Sequence, residues 1–233
     1  MEGEQVMNAS PSSPTTATAL QLLRTAERLF AEHGLAGVSL RQIATEAGSG
    51  NNSAVHYHFG SKERLVEAIF AYRLPQLLQR RELLEVRLHP GDLRARLEAH
   101  LLPVLELAES RDGSYLSFLE QLERSQASRS LLTPLEAGQS QAEFVADVQA
   151  LLPDVEEPVR TMRIHQVQML SLHAAAERER AVADDLDVIP FGLFVSTLID
   201  ACVGYLTATV SEETKRFLAR PLGATPPQAV RLL

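Results

Sequence analysis

The sequence predicts an all-α protein, with an N-terminal three-helix helix-turn-helix domain and a larger helical domain behind it. Leu, Ala, Glu and Arg are the most frequent of the 233 residues, and all four are strong helix formers. Nowhere do β-branched residues alternate with polar ones over the length of a strand. Apolar residues recur instead at the three- and four-residue spacing of a helix face, so we expect helices throughout.

The N-terminal part of the chain carries the signals of four short helices. Gly34 and Gly48 are stop signals for the first and second helices, and Ser39 and Ser61 are good N-caps for the second and fourth. A turn, Ser49-Gly50-Asn51, separates the second helix from the third. The predicted helices span residues 18–33, 40–47, 52–59 and 61–74.

Beyond Pro75 the pattern predicts helices of ordinary length, with breaks at proline and glycine. These helices span residues 76–88, 92–109, 113–127, 139–152, 157–182, 189–209 and 211–219. Residues 1–17 are rich in Ser, Thr and Pro and are expected to form a disordered tail. Residues 221–233 include Pro226-Pro227 and are expected to be irregular.

Residues 39–62 have the order that a helix-turn-helix requires, in which one helix braces across the DNA backbone and the next lies in the major groove. Val55 and Phe59, one helical turn apart, would anchor the second of these helices to the core. Hydroxyls, amides and imidazoles on its other side suit hydrogen bonds with base edges, and alanine suits the thymine methyl. These outward residues are Asn52, Ser53, Ala54, His56, Tyr57 and, in part, His58.

The net charge of −8 is unfavourable for a protein that must neutralise phosphates. The distribution of charge along the chain is less unfavourable, because residues 18–75 hold six basic and five acidic side chains, a net of +1. The hypothesis of DNA binding therefore depends on the motif and not on the overall charge.

Three stretches of this region resemble the tetracycline-repressor (TetR) family of bacterial regulators, and together they span residues 26–65. They are Ala26-x-x-Leu29-Phe30-x-x-x-Gly34, Val38-Ser39-Leu40-Arg41-Gln42-Ile43-Ala44-x-x-Ala47-Gly48 and Tyr57-His58-Phe59-Gly60-Ser61-Lys62-Glu63-x-Leu65. The remainder of the chain is similar to the family only in being helical.

The resemblance implies a role for each matching polar residue. Ser39 and Arg41 would approach the DNA backbone, and Tyr57 and His58 would contact the backbone and the groove edge. Lys62 would hold a phosphate at the start of the fourth helix, where free N–H groups and the helix dipole already favour an anion.

Two departures from the family pattern affect the base-reading residues. The turn after Gly48 is one residue longer than usual, and His56 stands where members usually have Tyr. It is therefore open which of Asn51, Asn52 and Ser53 read bases. The predicted DNA contacts are Ser39, Arg41, Asn51, Asn52, Ser53, Ala54, His56, Tyr57, His58 and Lys62.

Plainer interpretations exist for the same residues. A Tyr-His-Phe cluster on a short helix is, taken alone, typical of core packing. Lys62 alone is typical of a solvated surface charge. Ser39, the two glycine breaks and Lys62 in register favour DNA binding.

The apolar face of helix 189–209 and the apolar positions of helix 157–182 predict a homodimer built around a four-helix interface, which the resemblance also implies. The face of the later helix consists of Phe191, Phe194, Val195, Leu198, Ile199, Cys202, Val203 and Leu206. Asp200, within this apolar run, is expected to accept a hydrogen bond across the dimer. The alternative is that both helices are interior to a monomer.

The middle helices hold candidate lining for a small-molecule site, since such sites are mostly apolar with a few polar groups. The candidates are His100, Leu101, Leu105, Tyr115, Phe118, Leu119, Leu122, Met162, His165 and Met169. Most residues of this kind belong simply to a core. We predict an unknown small-molecule effector and no cofactor, because His173 and Glu177 at i and i+4 lack a third metal ligand.

The sequence thus predicts residues 18–75 as a DNA-binding domain and residues 76–220 as a ligand-binding and dimerisation domain. We expect a cytoplasmic, ligand-responsive repressor that binds a palindromic operator as a homodimer, with no membrane span. A transcriptional activator of the same family and a helical adaptor that binds only protein are the alternatives. An enzyme has little support, because the nucleophile, phosphate-loop and zinc motifs are absent from the sequence.

Overall fold

A computed structural model of the chain describes residues 16–124 and 135–219, apart from residues 50, 52, 87, 90 and 112. Within these residues the chain forms helices and no strand, as predicted. The helices are α1 (Ala17–Gly37), α2 (Leu40–Glu46), α3 (Ala54–Phe59), α4 (Lys62–Glu85), α5 (Leu93–Glu106), α6 (Tyr115–Arg124), α7 (Leu135–Ala150), α8 (Val159–Ala183), α9 (Phe191–Thr207) and α10 (Glu212–Leu218). The predicted tails lie outside the described residues, except that Thr16 caps α1 and Ala17 begins it.

The three N-terminal helices begin and end close to their predicted signals. Ser39 accepts a hydrogen bond from the backbone N–H of Gln42 at 3.1 Å and so caps α2. Gly34 and Gly48 have positive φ angles of 69° and 68°, which glycine adopts at little cost. The apolar sides of these three helices meet the start of α4 in one core that includes Leu22, Phe30, Ile43, Val55 and Ile69.

The predicted helix break at Pro75 is wrong, because α4 runs without interruption from Lys62 to Glu85. A proline inside a helix removes one hydrogen bond and costs about 3 kcal/mol. Phe70, Leu74 and Leu77 flank it on one buried face, and their burial outweighs that cost. A single helix therefore leads from the helix-turn-helix towards the larger helical part of the protein, α5 to α10, which we call the body.

The body of the protein packs directly against this N-terminal unit. The ring of Phe118 in α6 lies 6.1 Å from the rings of both Phe30 in α1 and Phe70 in α4. A single cluster of buried apolar residues runs from α1 through α6 and α8 to α9. A movement within the body can therefore reach the N-terminal helices through direct packing.

Glu179 of α8 fixes the start of α6. Its carboxylate accepts hydrogen bonds from the backbone N–H groups of Leu116, at 3.0 Å, and Ser117, at 2.8 Å. The carboxyl group is fully buried, and this burial raises its pKa despite the two bonds. The cap of α6 thus comes from a residue far along the chain.

A second carboxylate, Glu120, joins α6 to α8. It pairs with His173 at 2.6 Å, with Arg180 at 2.9 Å and with Arg124 at 3.1 Å. Burial opposes ionisation of this carboxyl, but the bonds from His173 and Arg180, with the charge of Arg124, lower its pKa below the ordinary value of 4.5.

The lowered pKa predicts a defined pH dependence of stability. As the pH falls below 4.5, Glu120 takes up its proton in the unfolded chain before it does so in the native protein, so the contribution of Glu120 is lost. Glu120→Gln should be less stable than the wild type at neutral pH by about 1.5 to 3 kcal/mol, and its stability should fall less on acidification. Urea unfolding at neutral and acid pH measures both effects.

Glu98→Gln is the control, because Glu98 is an exposed carboxylate of α5. It should keep the wild-type stability and its dependence on pH. Equal loss on acidification in Glu120→Gln and the wild type would contradict the assigned role.

No single helix among the described residues is long and apolar enough to cross a membrane. One bent pair, Phe191–Thr207 with Glu212–Leu218, meets the same criterion of length and composition when the two helices are taken together.

Candidate nucleic-acid interface

Helix α3 presents a polar outer side on an apolar anchor. Val55 is fully buried and Phe59 packs partly buried against the same core, as predicted. On the other side the Tyr57 side chain is 83% exposed and His56 is also exposed. The His58 ring is half-buried and lies edge-on to the Tyr57 ring, with 5.2 Å between the ring centroids.

Such exposure of a tyrosine is unusual for a monomer, since a large amphipathic ring normally buries most of its area. The anchored inner side fixes α3, so its outer groups are held in place without a ligand. This arrangement suits contact with a second surface that offers both phosphates and base edges.

One prediction about α3 is wrong. Ala54 was expected on the outer side with the other polar-facing residues, but it is only 7% exposed and belongs to the core. Helix α3 begins at residue 54 and not at 52, so Ala54 lies in its first turn beside Val55. The turn before α3 is correspondingly longer than the predicted one.

Asn51 closes that turn. Its side-chain oxygen accepts a hydrogen bond from the backbone N–H of Ser53 at 2.9 Å, and its backbone oxygen accepts one from Ala54 at 3.0 Å. The side chain of Ser49 in turn bonds with the backbone of Asn51. Asn51 therefore shapes the start of α3. The side-chain oxygen with which it would read adenine already accepts a bond from Ser53.

The other predicted base-reading residues are placed differently. Ser53 is exposed immediately before α3. Asn52 lies outside the described residues.

The predicted backbone contacts lie at the starts of α2 and α4. Ser39 is exposed and caps α2, and Arg41 projects into solvent from its first turn. Lys62 is half-buried at the first position of α4, where its ammonium group donates a hydrogen bond to the Leu35 carbonyl at 2.7 Å. Lys62 therefore ties α4 to the end of α1 and keeps two further N–H groups.

Sequence reasoning missed one positioning residue in this region. Gln21 of α1 donates from its side-chain amide to the carbonyl of Ala47 at 2.9 Å and so holds the end of α2. Nothing in the local sequence marks this role, because the two residues are 26 positions apart.

The predicted effector residues do not form one site. Tyr115, Phe118 and Leu122 are fully buried in the core of α6. Met162 was expected to face inward but is exposed on α8. His165 and Met169 are partly buried on the same helix.

His100, Leu101 and Leu105 are predicted effector residues that border one cavity. This cavity, of about 40 Å³, lies between α4, α5 and α8 and is also lined by Arg81, Gln168 and Ser171. Arg81 was not predicted, yet it follows Phe70, Leu74 and Leu77 at the spacing of the buried face of α4. That register was a signal that this arginine is buried.

Helices α8 and α9 leave an apolar outer surface. The apolar face of α9 that the sequence assigned to the dimer interface packs against the core of the protomer itself, so that assignment is wrong. The opposite side of α9 carries exposed residues one turn apart. We call this outer surface the α8–α9 face; it consists of Met162, Gln166, Leu170, Leu193, Thr197, Ala201, Gly204 and Tyr205. The Tyr205 hydroxyl donates to the Gln166 side chain at 2.5 Å and joins the two helices across it.

Two further sequence hypotheses involve pairs within the chain. Asp200 pairs with Arg94 of α5, and its bond across a dimer stays a prediction. His173 pairs with Glu120 and not with Glu177. Over the described ranges, no three His, Cys, Asp or Glu side chains are grouped so that they could hold a metal ion.

Helix α3, with its exposed polar side, packs on α2 across a short turn. This is the geometry of a helix-turn-helix DNA-binding domain. Residues 22–69 match the family model described as bacterial regulatory proteins, tetR family. The chain therefore contains a DNA-binding region similar to that of the TetR family of transcriptional regulators.

Several solved structures match more than four-fifths of the chain. The ketosteroid transcriptional regulator KstR2 of Mycobacterium tuberculosis is 16% identical, with a TM-score of 0.56, and the match covers 85% of this chain and 99% of that one. NalD of Pseudomonas aeruginosa, described as the secondary repressor of the MexAB-OprM multidrug efflux pump, is 22% identical, with a TM-score of 0.40 and coverage of 83% and 98%. A mutant of HlyIIR is 17% identical, with a TM-score of 0.41 and coverage of 85% and 100%. No curated protein matches the sequence.

The likeness to KstR2 supports the all-helical fold, with an N-terminal helix-turn-helix and a larger helical domain. It extends over nearly the full length of that protein. The predicted fold class is therefore confirmed.

Proposed function

We propose that this protein is a cytoplasmic, effector-responsive repressor that binds a palindromic operator as a homodimer. The observation that carries the proposal is α3, whose polar outer side is exposed while its inner side is fixed in the core. In this proposal residues 18–75 bind DNA, residues 76–220 bind effector and the second protomer, and the chain has no catalytic role.

The proposed DNA contacts fall into two groups. Ser39, Arg41 and Lys62 lie at or near helix starts and suit phosphates, which position the protein without reading sequence. Ser53 and His56 are exposed beside Tyr57 and suit base edges. The remaining predicted contacts are Asn51, which we propose as a turn-shaping residue, and Asn52, Tyr57 and His58, which we propose near the groove.

A homodimer is supported by the α8–α9 face. Its apolar residues lie exposed in one protomer, and an exposed apolar surface of this kind marks an association site. Gly204 leaves open space beside α9 on this face, so a second helix can approach closely. Two-fold pairing would present two α3 helices to DNA, which is why we propose a palindromic operator.

Effector control would act through α4. This helix begins at Lys62 beside the DNA-binding helices and ends at Glu85 in the body. An effector lowers operator affinity only if it binds better to a conformation in which the distance between the two α3 helices does not match the spacing of the half-sites. Repression relieved by effector in a transcription assay supports this proposal, and increased transcription on operator binding favours the activator alternative.

Selection of bound sites from random DNA tests the function directly. We expect a recurrent two-fold symmetric sequence whose binding weakens as salt rises. An adaptor that binds only protein would enrich no sequence. A recurrent site without symmetry would contradict the dimeric arrangement while leaving DNA binding in place.

Lys62→Met tests the proposed phosphate contact. The change removes one cationic group near DNA, so affinity should fall for every sequence and the salt dependence of log K should become shallower by about 1. Electrophoretic or fluorescence titrations over a range of salt concentrations measure this slope.

The control variant is Lys215→Met, which changes a distant exposed lysine of α10. It should leave the affinity and the slope unaltered. Loss of the bond with Leu35 is a structural effect that weakens binding without changing the slope. A weaker complex with the wild-type slope would therefore assign Lys62 to folding and not to phosphate.

A further inference from the structure

Arg81 is a buried cation without a bonded counterion among the residues that the structure describes. It is 5% exposed, donates to the Ser140 hydroxyl at 2.6 Å and donates to the His100 carbonyl at 3.3 Å. In the part of the chain that the structure describes, its Nε has no hydrogen-bond partner and no carboxylate forms a salt bridge with it. The nearby Glu85 is paired with Arg96 at 2.8 Å.

Burial lowers the pKa of Arg81 to about 10, with Glu85 opposing this effect and Arg96 adding to it. The guanidinium is still fully charged at neutral pH. A buried charge of this kind is costly unless an anion pairs with it.

The cavity beside Arg81 offers further unused donors. Gln168 is nine-tenths buried, and its side-chain N–H₂ has no partner among the described residues. His100, stacked on Phe144, is also buried, and burial, with the charges of Arg81 and Arg96, holds its pKa well below the ordinary value. The imidazole is therefore neutral and adds no second positive charge to the cavity.

The other walls of the cavity are apolar. Leu101, Val104 and Leu105 of α5 face Leu172 of α8 across it. Its volume of about 40 Å³ has room for a small molecule only. One cation among apolar walls matches a single negative charge, since a second would be buried without a partner.

From these observations we propose that the cavity binds a short-chain aliphatic carboxylate as the effector. The carboxylate accepts hydrogen bonds from Arg81 and Gln168, and the hydrocarbon chain lies against the leucines. The proposal rests on the effector-responsive function proposed above. Arg81 lies on α4, the helix that begins at Lys62, so an anion on Arg81 acts on the same helix that borders the DNA-binding unit.

Thermal unfolding and calorimetry of the full chain with butyrate test the site, with butyramide and chloride at matched ionic strength as comparisons. Butyrate should raise the melting temperature and bind with measurable heat, and butyramide should do neither. The uncharged amide has nearly the same shape, so this difference isolates the charge. Equal stabilisation by both compounds, or by neither, would overturn the proposal.

Arg81→Met removes the charge and keeps an aliphatic side chain. It should weaken butyrate binding by about tenfold to a hundredfold, the range expected for hydrogen bonds to a charged group. Arg80→Met, at the exposed neighbouring arginine, should bind as the wild type does. Gln168→Leu provides a second variant, expected to weaken binding, should Arg81→Met fail to fold. Retained butyrate binding in a folded variant without Arg81 would sink the inference.

The test separates this inference from the proposed function. If site selection yields an operator but butyrate neither binds nor changes operator affinity, the ligand class is wrong and the regulator stands. If butyrate binds through Arg81 but no operator is selected, the site stands and the proposed function fails.

Discussion

Arg73→Ala should lower the free energy of unfolding by about 3 to 5 kcal/mol, among the largest effects of a single substitution in this protein. Arg73 of α4 donates two hydrogen bonds to the Glu27 carboxylate of α1, at 2.6 and 3.0 Å. Glu27 is 2% exposed. Removing the arginine leaves a buried carboxylate without its bonded cation. Urea unfolding at neutral pH measures the loss.

The exposed pair Arg80–Glu106 is a matched control. It has the same bidentate geometry, with distances of 2.7 and 3.0 Å, but both side chains are more than a third exposed. Arg80→Ala should cost no more than about 1 kcal/mol, because water replaces the lost partner. Similar losses in the two variants would show that burial does not set the strength of the Arg73 pair.

The same arginine also contacts the body. Its guanidinium lies 5.5 Å from the centre of the Tyr115 ring of α6. The Glu27–Arg73 pair therefore joins α1, α4 and α6 at the junction of the N-terminal helices with the body. The double substitution Glu27→Leu with Arg73→Met should recover part of the stability, since it leaves no buried charge unpaired.

Leu170→Glu combined with Leu193→Glu should convert the proposed dimer into monomers. The two leucines lie on the α8–α9 face, one on each helix, and are 46% and 53% exposed in a protomer. In a two-fold interface each glutamate meets the same face of the partner, so like charges and buried carboxylates oppose association. Sedimentation or light scattering measures the mass of the variant.

The loss of the dimer should weaken operator binding by about a hundredfold or more, because a separate protein molecule must then bind the second half-site. Leu83→Glu is the control, since Leu83 is a 60% exposed leucine of α4 outside the α8–α9 face. It should keep both mass and affinity. A double variant that stays dimeric would place the interface elsewhere, and a monomeric variant with full affinity would contradict the paired arrangement.

Local signals made most of the N-terminal region predictable. Ser39 and Ser61 cap α2 and α4 through hydrogen bonds that reach only three residues, and Gly34 and Gly48 adopt their positive φ angles without help from distant residues. The sequence motif fixed the candidate site for the same reason. Its departures from the family pattern were visible, and the longer turn proved to be shaped by Asn51.

Two of the errors arose where packing opposed a local signal. Pro75 by itself predicts the end of a helix, yet α4 continues past it because the residues on both sides share one buried face. Ala54 is small enough to be assigned to either side, and only the later start of α3 decides that it is buried. The sequence could not separate effector residues from core residues, because apolar side chains that line a cavity and those that fill a core have the same sequence pattern.

By itself, the sequence determined the helical class, the order and approximate ends of the helices, and the helix-turn-helix with its outward polar residues. These follow from periodicity, caps and turns, which act over a few residues. Only the tertiary structure decided that Glu179 caps α6, that Glu27 meets Arg73 and that Arg81 borders a cavity. Each of these joins residues far apart in the chain, and which of many possible partners a buried charge meets is set by how the whole core packs.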